Sequence, residues 1–270
     1  MLDRLHAQLS AGKALIGAGA GTGISAKFIE RGGADFIIIY NSGRFRMAGV
    51  ASPAGLLAYG NANDIMMEMG EREVLPVARE IPVIAGVNGS DPTREMEPFL
   101  RKVNALNFTG VNNFPTVGAF DGEFRVTLEE VGLGYYTEVE MIRLAHEQDM
   151  FTIPYVYDEQ QARDMTNAGA DALIAHVGTT TGGSIGARTA VTHDEAADIT
   201  RRILEAARGI RESVLILTHG GPTETPDDVQ YIVEKSGADG FVGASTIERL
   251  ATEPAIKART EELKQVRVSS

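Results

Sequence analysis

Short apolar runs recur along the chain, each followed by a longer stretch whose apolar positions return at helical spacing. The runs predict strands at Ala14–Gly17, Phe36–Tyr40, Val83–Val87, Gly110–Asn113, Phe151–Tyr155, Ala172–Val177, Val214–Thr218 and Gly240–Val242. Amphipathic stretches between them predict helices, among them Met96–Val103, Tyr136–Glu147, Ala196–Ala207 and Asp228–Lys235. Strands alternating with helices read as a parallel sheet. Eight units with no long linker favour closure, so the expected fold is α/β, a single (β/α)8 TIM barrel over residues 1–270. An open, doubly wound sheet is the alternative.

Local signals punctuate this pattern. Gly33-Ala34-Asp35, Gly169-Ala170-Asp171 and Gly237-Ala238-Asp239 each end a helix and lead into a strand, with glycine supplying the left-handed residue after the helix. Asp91-Pro92, Thr192-x-x-Glu195, Thr225-Pro226-Asp227 and Ser245-x-x-Glu248 read as helix starts. Two connections, Asn41 to about Asn63 and Phe114 to about Leu133, exceed what the scaffold needs. Both leave the C-terminal ends of strands, where barrels of this kind carry their sites. The tail Gln265–Ser270 is expected to fray.

Composition narrows the function. A net charge of −12 disfavours a nucleic-acid partner, while a local pocket can still take a small anionic substrate. The chain has no cysteine, which excludes thiolate ligands and a cysteine nucleophile. No apolar run is long enough to span a bilayer, and Met1–His6 lacks the pattern of a signal peptide, so a cytoplasmic protein without membrane contact is expected. Self-association into a homo-oligomer is expected on general grounds.

The candidate chemistry lies at the strand ends. His176 and His219 end adjacent strands and could act as a general acid/base pair or as two metal ligands, with a structural histidine the competing reading for either alone. His6, His146 and His193 read as surface residues. After the second strand, Ser42, Gly43, Arg44 and Arg46 could hold a carboxylate or phosphate; Arg44 is the chosen catalytic cation, leaving Arg46 to the surface. Gly19, in the glycine-rich run after the first strand, is a backbone contact for substrate, with a plain tight turn equally plausible. A dinucleotide fingerprint there is disfavoured, because the second strand has no acidic end. Asp91 reads as a helix cap rather than a base or metal ligand. Asn113 is the fourth-strand amide assigned to substrate. Gly220, Gly221, Gly243 and Ser245 follow the last two strands, the usual place for a phosphate in this fold, and Thr179–Gly186 reads as a lid or a plain loop.

Four longer motifs carry a resemblance. Asn41–Gly49, Asn112–Gly118, His219–Pro222 and Gly243–Leu250 are similar to the phosphoenolpyruvate hydrolase-like TIM-barrel family, which is phosphonopyruvate hydrolase-like and also resembles the C-terminal barrel of the tomato mosaic virus resistance protein. The match runs from about Gly17 to Ile256. The resemblance implies distant kinship with the phosphoenolpyruvate mutase and isocitrate lyase superfamily, whose enzymes make or break C–C or C–P bonds through a magnesium-bound enolate. A divalent metal such as Mg is therefore the implied cofactor. Strand three, however, ends Ala85-Gly86-Val87-Asn88 without that superfamily's paired aspartates, and strand four ends in asparagines where a glutamate is expected.

The sequence thus points to a hydrolase or lyase acting on a small anionic 2-oxo or 3-oxo acid, phosphorylated or not. In this reading Arg44 and Ser42 hold a carboxylate, the later glycine loops hold a second anion, and His176 and His219 move protons. The alternative is a regulatory barrel that binds an anionic metabolite without chemistry. A nucleotide-binding partner subunit is a weaker third reading.

Overall fold

The computed structural model describes residues 1–268. Ser269 and Ser270, the end of the tail expected to fray, lie outside the described residues. All strands pair in parallel: β1 Leu15–Gly19, β2 Phe36–Ile39, β3 Val83–Gly86, β4 Gly110–Asn112, β5 Phe151–Thr152, β6 Tyr155–Val156, β7 Ala172–His176, β8 Leu215–His219 and β9 Gly240–Gly243. β5 and β6 are halves of one extended run, the expected fifth strand, interrupted at Pro154, which has no N–H for a ladder. That run closes the barrel, because Ile153 donates to Val111 on one side while Pro154 accepts from Ile174 on the other. The open-sheet alternative is thereby excluded.

Alternation along the strands sorts the core into two layers. Phe36, Ile38 and Tyr40 point into the barrel with Leu15, Ile153, Tyr155, Ile174, Leu217 and Val242. Ile37 and Ile39 point outward, with Val83, Val111, Leu173 and Ile216, against the surrounding helices. Gly17 is required by this packing, since a Cβ there would lie 2.3 Å from the fully buried Phe36 ring. α1 (Leu2–Ser10) places Leu5 against the interior layer at the N-terminal end of the barrel.

The three Gly-Ala-Asp repeats do the same work three times. Gly33, Gly169 and Gly237 all take positive φ. The aspartate that follows accepts from a backbone amide of the neighbouring strand: Asp35 from Ile16, Asp171 from Thr152 and Asp239 from Ile216. The outer helices are α2 (Gly23–Arg31), α4 (Ala62–Met69), α5 (Met96–Ala105), α7 (Tyr135–Glu147), α8 (Glu159–Asn167), α9 (His193–Arg208) and α10 (Pro226–Ser236). Capping boxes start α9 at Thr192/Glu195 and α10 at Thr225/Asp228. Two expected starts are corrected. α5 begins after Glu95, and Asp91 instead caps a turn by accepting from the Thr93 amide and hydroxyl. Glu248 turns away from the Ser245 amide and toward the Gly21 amide and Arg46.

The two long connections carry α3 (Asn41–Met47) and α6 (Gly122–Glu130). No helix among the described residues is long and apolar enough to cross a membrane. In the last helix, α11 (Arg249–Leu263), only Arg249 is buried. An apolar groove of 680 Å³, lined by Ile16, Val229, Val233, Phe241 and Ile247 among others, lies open beside α10.

Candidate active site

A cavity of 450 Å³ occupies the C-terminal mouth of the barrel. Its walls come from the ends of β2, β4, β6, β7, β8 and β9 and from the loops that follow them: Tyr40, Ser42, Arg46, Phe114, Tyr155, Tyr157, His176, His219 and Ser245 face it, with Thr179 and Thr180 above. A larger hollow of 910 Å³ lies outside, between α7 and α8, edged by charged surface side chains and reached by no strand end. The mouth is therefore where converging chemistry is found.

Arg46, not Arg44, lines the cavity. The segment after β2 is helical, and residues two apart on a helix lie about 200° apart around its axis, so the two arginines face opposite ways. Arg44 turns outward to Glu68 and Glu73, at 2.8 and 2.6 Å, and is about a third exposed. Arg46 lies one turn after Ser42, on the same face, and is 2% exposed. Its Nε and Nη2 donate to Glu248 Oε2 at 2.8 and 2.6 Å, and its Nη1 has no partner. Burial opposes the charge, but Glu248 and the Tyr40 hydroxyl hold the guanidinium pKa above its ordinary value. Glu248 Oε1 accepts from the Gly21 amide at 2.7 Å, so the glycine-rich loop receives an internal carboxylate.

The two histidines differ in which nitrogen is free. His219 Nδ1 lies 2.6 Å from the Val242 carbonyl, which can only accept, so Nδ1 carries the proton and Nε2 keeps a lone pair. His176 Nδ1 accepts from the Gly178 amide at 3.2 Å, so its proton sits on Nε2. The rings are 4.8 Å apart, with Tyr155 against both and Tyr157 stacked on His176. Burial disfavours the imidazolium in both; it pushes His219 down to about 4, and the His219 ring adds to it in driving His176 well below its ordinary value. Two neutral rings thus offer the cavity one acceptor and one donor.

Other expected contacts are spent within the protein. Asn113 bridges β4 to the fifth strand run, accepting from the Tyr155 amide and donating to Glu138 and the Tyr155 carbonyl, so it does not reach the cavity. Asn112 donates to the Ile153 carbonyl. Ser42 lines the cavity, but its hydroxyl donates to the Ser52 carbonyl. Gly43 packs on Gly21, and a Cβ on Gly21 would meet the Gly43 carbonyl at 2.1 Å. Gly19 and Gly243 make room for Ala244 and for the Ile247 side chain. Gly220 and Gly221 form a turn with positive φ in which the Gly221 amide donates to Gly178. Ser245 alone of the later anion contacts faces the cavity, at a helical turn where the Ser245, Thr246 and Ile247 amides have no acceptor among the described residues. The loop over the mouth is tied down through Ser184 to Glu253 and through the Gly182 carbonyl to Arg249. His6, His146 and His193 are surface residues, with His193 bonded to Asp228.

The sequence reading missed Tyr40, Tyr155, Glu138 and Glu248. Parity alone marks the tyrosines, since Tyr40 follows Phe36 and Ile38, and Tyr155 follows Ile153, at the inward spacing of two. Glu138 is fully buried on α7 and collects the Asn113 side chain, the Thr116 hydroxyl and the Val117 amide, fixing the loop after β4; burial pushes its carboxyl up to about 8.

The motifs around this cavity are those of a known family, described as phosphoenolpyruvate hydrolase-like, which matches residues 1–266. The chain belongs to that family. Two tomato (Solanum lycopersicum) proteins, the ToMV susceptible protein tm-1(GCR26) and the ToMV resistance protein Tm-1(GCR237), are each 50% identical over 267 residues. These cover 98% of this chain but 35% of theirs, so it spans about a third of the length of these curated relatives. Among solved structures, a phosphoenolpyruvate phosphomutase from Streptomyces platensis subsp. rosaceus superposes with a TM-score of 0.61 at 16% identity, covering 97% of this chain and 87% of that one. A 2,3-dimethylmalate lyase gives 0.62 at 15%, covering 97% and 86%. A phosphonopyruvate hydrolase solved with oxalate and Mg²⁺ gives 0.59 at 18%, covering 100% and 91%. These structures share the barrel fold with the present member of the family.

The donor set in this family member does not fit a magnesium centre. Mg²⁺ is held by oxygens, usually one or two carboxylates with water. No aspartate or glutamate lines the cavity, and no group of three or more His, Cys, Asp or Glu among the described residues could hold a metal. At the end of β3, Asn88 Oδ1 accepts from the amide and hydroxyl of Ser90.

Proposed function

We propose that this barrel is an enzyme, a hydrolase or lyase acting on a small anionic 2-oxo or 3-oxo acid through an enolate-like intermediate. The observation that carries the reading is the unpartnered Nη1 of Arg46, in a side chain that is 2% exposed and faces the cavity. An orphaned N–H on a buried cation costs about 1–3 kcal/mol, a cost that a substrate carboxylate removes. The free amides of Ser245, Thr246 and Ile247 suit a second anionic group, carboxylate or phosphate. His219 Nε2 can take a proton from a substrate hydroxyl or from water. His176 Nε2–H can donate to the oxygen on which charge develops as a bond to the adjacent carbon breaks. The phosphonopyruvate hydrolase and 2,3-dimethylmalate lyase among the structural neighbours support this class of substrate.

The test is turnover of oxaloacetate, phosphonopyruvate and other oxo acids by wild type and His219→Asn, whose amide can still donate to Val242. Wild-type turnover abolished in His219→Asn, with the circular dichroism spectrum intact, supports the assignment; near-wild-type turnover removes His219 from the mechanism. Tight binding with no product from any acid supports the alternative, a regulatory barrel for an anionic metabolite.

Residues 1–270 form one barrel module in this reading, and self-association completes it. α11 leaves Ile256 and Leu263 exposed, and the apolar groove beside α10 is open, so a second copy's α11 could seat there. A cytoplasmic location accompanies the proposal.

A further inference from the structure

The disagreement between this site and a magnesium centre has a physical counterpart in the same cavity. We infer that oxo-acid binding and turnover in this barrel are independent of divalent metal, with the Arg46 guanidinium, oriented by Glu248, as the fixed positive group of the site. The inference rests on the substrate class proposed above.

The potential ligands around the cavity do not add up to a metal site. Glu248 is bonded to the cavity-lining Arg46, and both its oxygens are used: Oε1 by the Gly21 amide, Oε2 by Arg46 Nε and Nη2. Drawing it to a metal would strand a guanidinium that is 1% exposed. His176 cannot ligate through Nε2 while its Nδ1 accepts from Gly178, because that nitrogen then carries the proton. His219 has a free Nε2 and offers one ligand. The unpartnered Asn112 Oδ1 is a neutral oxygen on a residue outside the cavity lining. One imidazole does not make a site for a hard cation.

A fixed positive group, in contrast, is in place. Glu248 holds two of the three guanidinium nitrogens, which sets the plane of the group and leaves Nη1 as the one without a partner. The Tyr40 hydroxyl, 3.5 Å from that of Tyr155, lies in the same wall. A guanidinium with no rotational freedom and no bulk water around it can stabilise an enolate oxygen without a metal. Glu248 is in this account a positioning residue, acting on substrate only through Arg46.

The experiment uses oxalate, a dianion shaped like the enolate of pyruvate, titrated calorimetrically into protein stripped with EDTA and into protein with added Mg²⁺. Electron paramagnetic resonance of Mn²⁺ reports metal binding directly. The expected result is equal oxalate affinity with and without Mg²⁺, no depletion of the free Mn²⁺ signal by the protein, and affinity about tenfold to a hundredfold weaker in Arg46→Met. Arg46→Lys restores part of the affinity, and Glu248→Gln, folded by circular dichroism, weakens it by about tenfold in EDTA and in Mg²⁺ alike. If Glu248→Gln does not fold, the two Arg46 variants carry the test. Oxalate binding that requires Mg²⁺, or is more than about tenfold tighter with it, overturns the inference and leaves the proposed function standing. No oxalate binding under either condition overturns both.

Discussion

Lowering the pH below 6.5 protonates a histidine in the unfolded chain before the buried His219 can accept a proton, and folding is penalised by the difference. His219 is pushed down to about 4 from an ordinary value of 6.5 because its ring is buried. With a folded value below the unfolded one, its neutral form is favoured by folding, so stability is intact above pH 6.5 and is lost as the pH falls toward 4. Linkage over that window gives a loss of about 2 kcal/mol between pH 7 and pH 5, approaching about 3 kcal/mol below pH 4. Glu138 acts in the opposite sense: its carboxyl is pushed up to about 8 by burial, so it gains stability as the pH falls from 8 to 4.5. Asp91, held well below the usual carboxylate range by hydrogen bonds from Thr93, Asn61 and Asn63 despite its burial, changes only at lower pH. The quantity to read is therefore a difference between two proteins. Urea unfolding of wild type and His219→Asn at pH 7, 6 and 5 should show wild type losing about 2 kcal/mol more than the variant. Parallel curves for the two proteins would mean that burial does not hold His219 below its ordinary value.

Three further outcomes follow from the same geometry. Glu138→Ala removes the acceptor of three buried donors and should cost about 3 kcal/mol in urea unfolding while loosening the loop that carries Phe114. Gly43→Ala places a methyl 2.9 Å from the Gly21 Cα, so it should lower stability by about 1–3 kcal/mol without changing oxalate affinity in the folded protein; a selective loss of affinity would restore Gly43 as a substrate contact. Truncation after Leu250 removes most of α11 and should convert an oligomer to monomer by sedimentation equilibrium, while an unchanged mass would place the self-association surface elsewhere.

The fold was legible because barrel strands are near-continuous apolar runs, and every predicted strand overlaps an observed one to within a few residues. Pro154 broke the fifth for a local reason that the apolar pattern does not register. The histidines were legible as well, since strand ends in a barrel point to one face. The sequence favours Arg44 only while Asn41–Met47 is taken as an irregular loop. Helical spacing pairs Ser42 with Arg46 and turns Arg44 outward to two glutamates distant in sequence. Glu248 reads locally as the fourth residue of a capping box, and only closure of the barrel brings it to a partner 202 positions away. The glycines show the same limit. At Gly43 and Gly243 the backbone must pass close to a neighbour, and a sequence cannot separate that need from a substrate's.

The most direct test of the central claim is a crystal structure of the protein soaked with oxalate. The account predicts oxalate in the barrel mouth, one carboxylate within hydrogen-bond distance of Arg46 Nη1 and the other accepting from the Nε2–H of His176. Oxalate bound at Arg44 or elsewhere on the surface, with the mouth empty at saturating concentration, would contradict it.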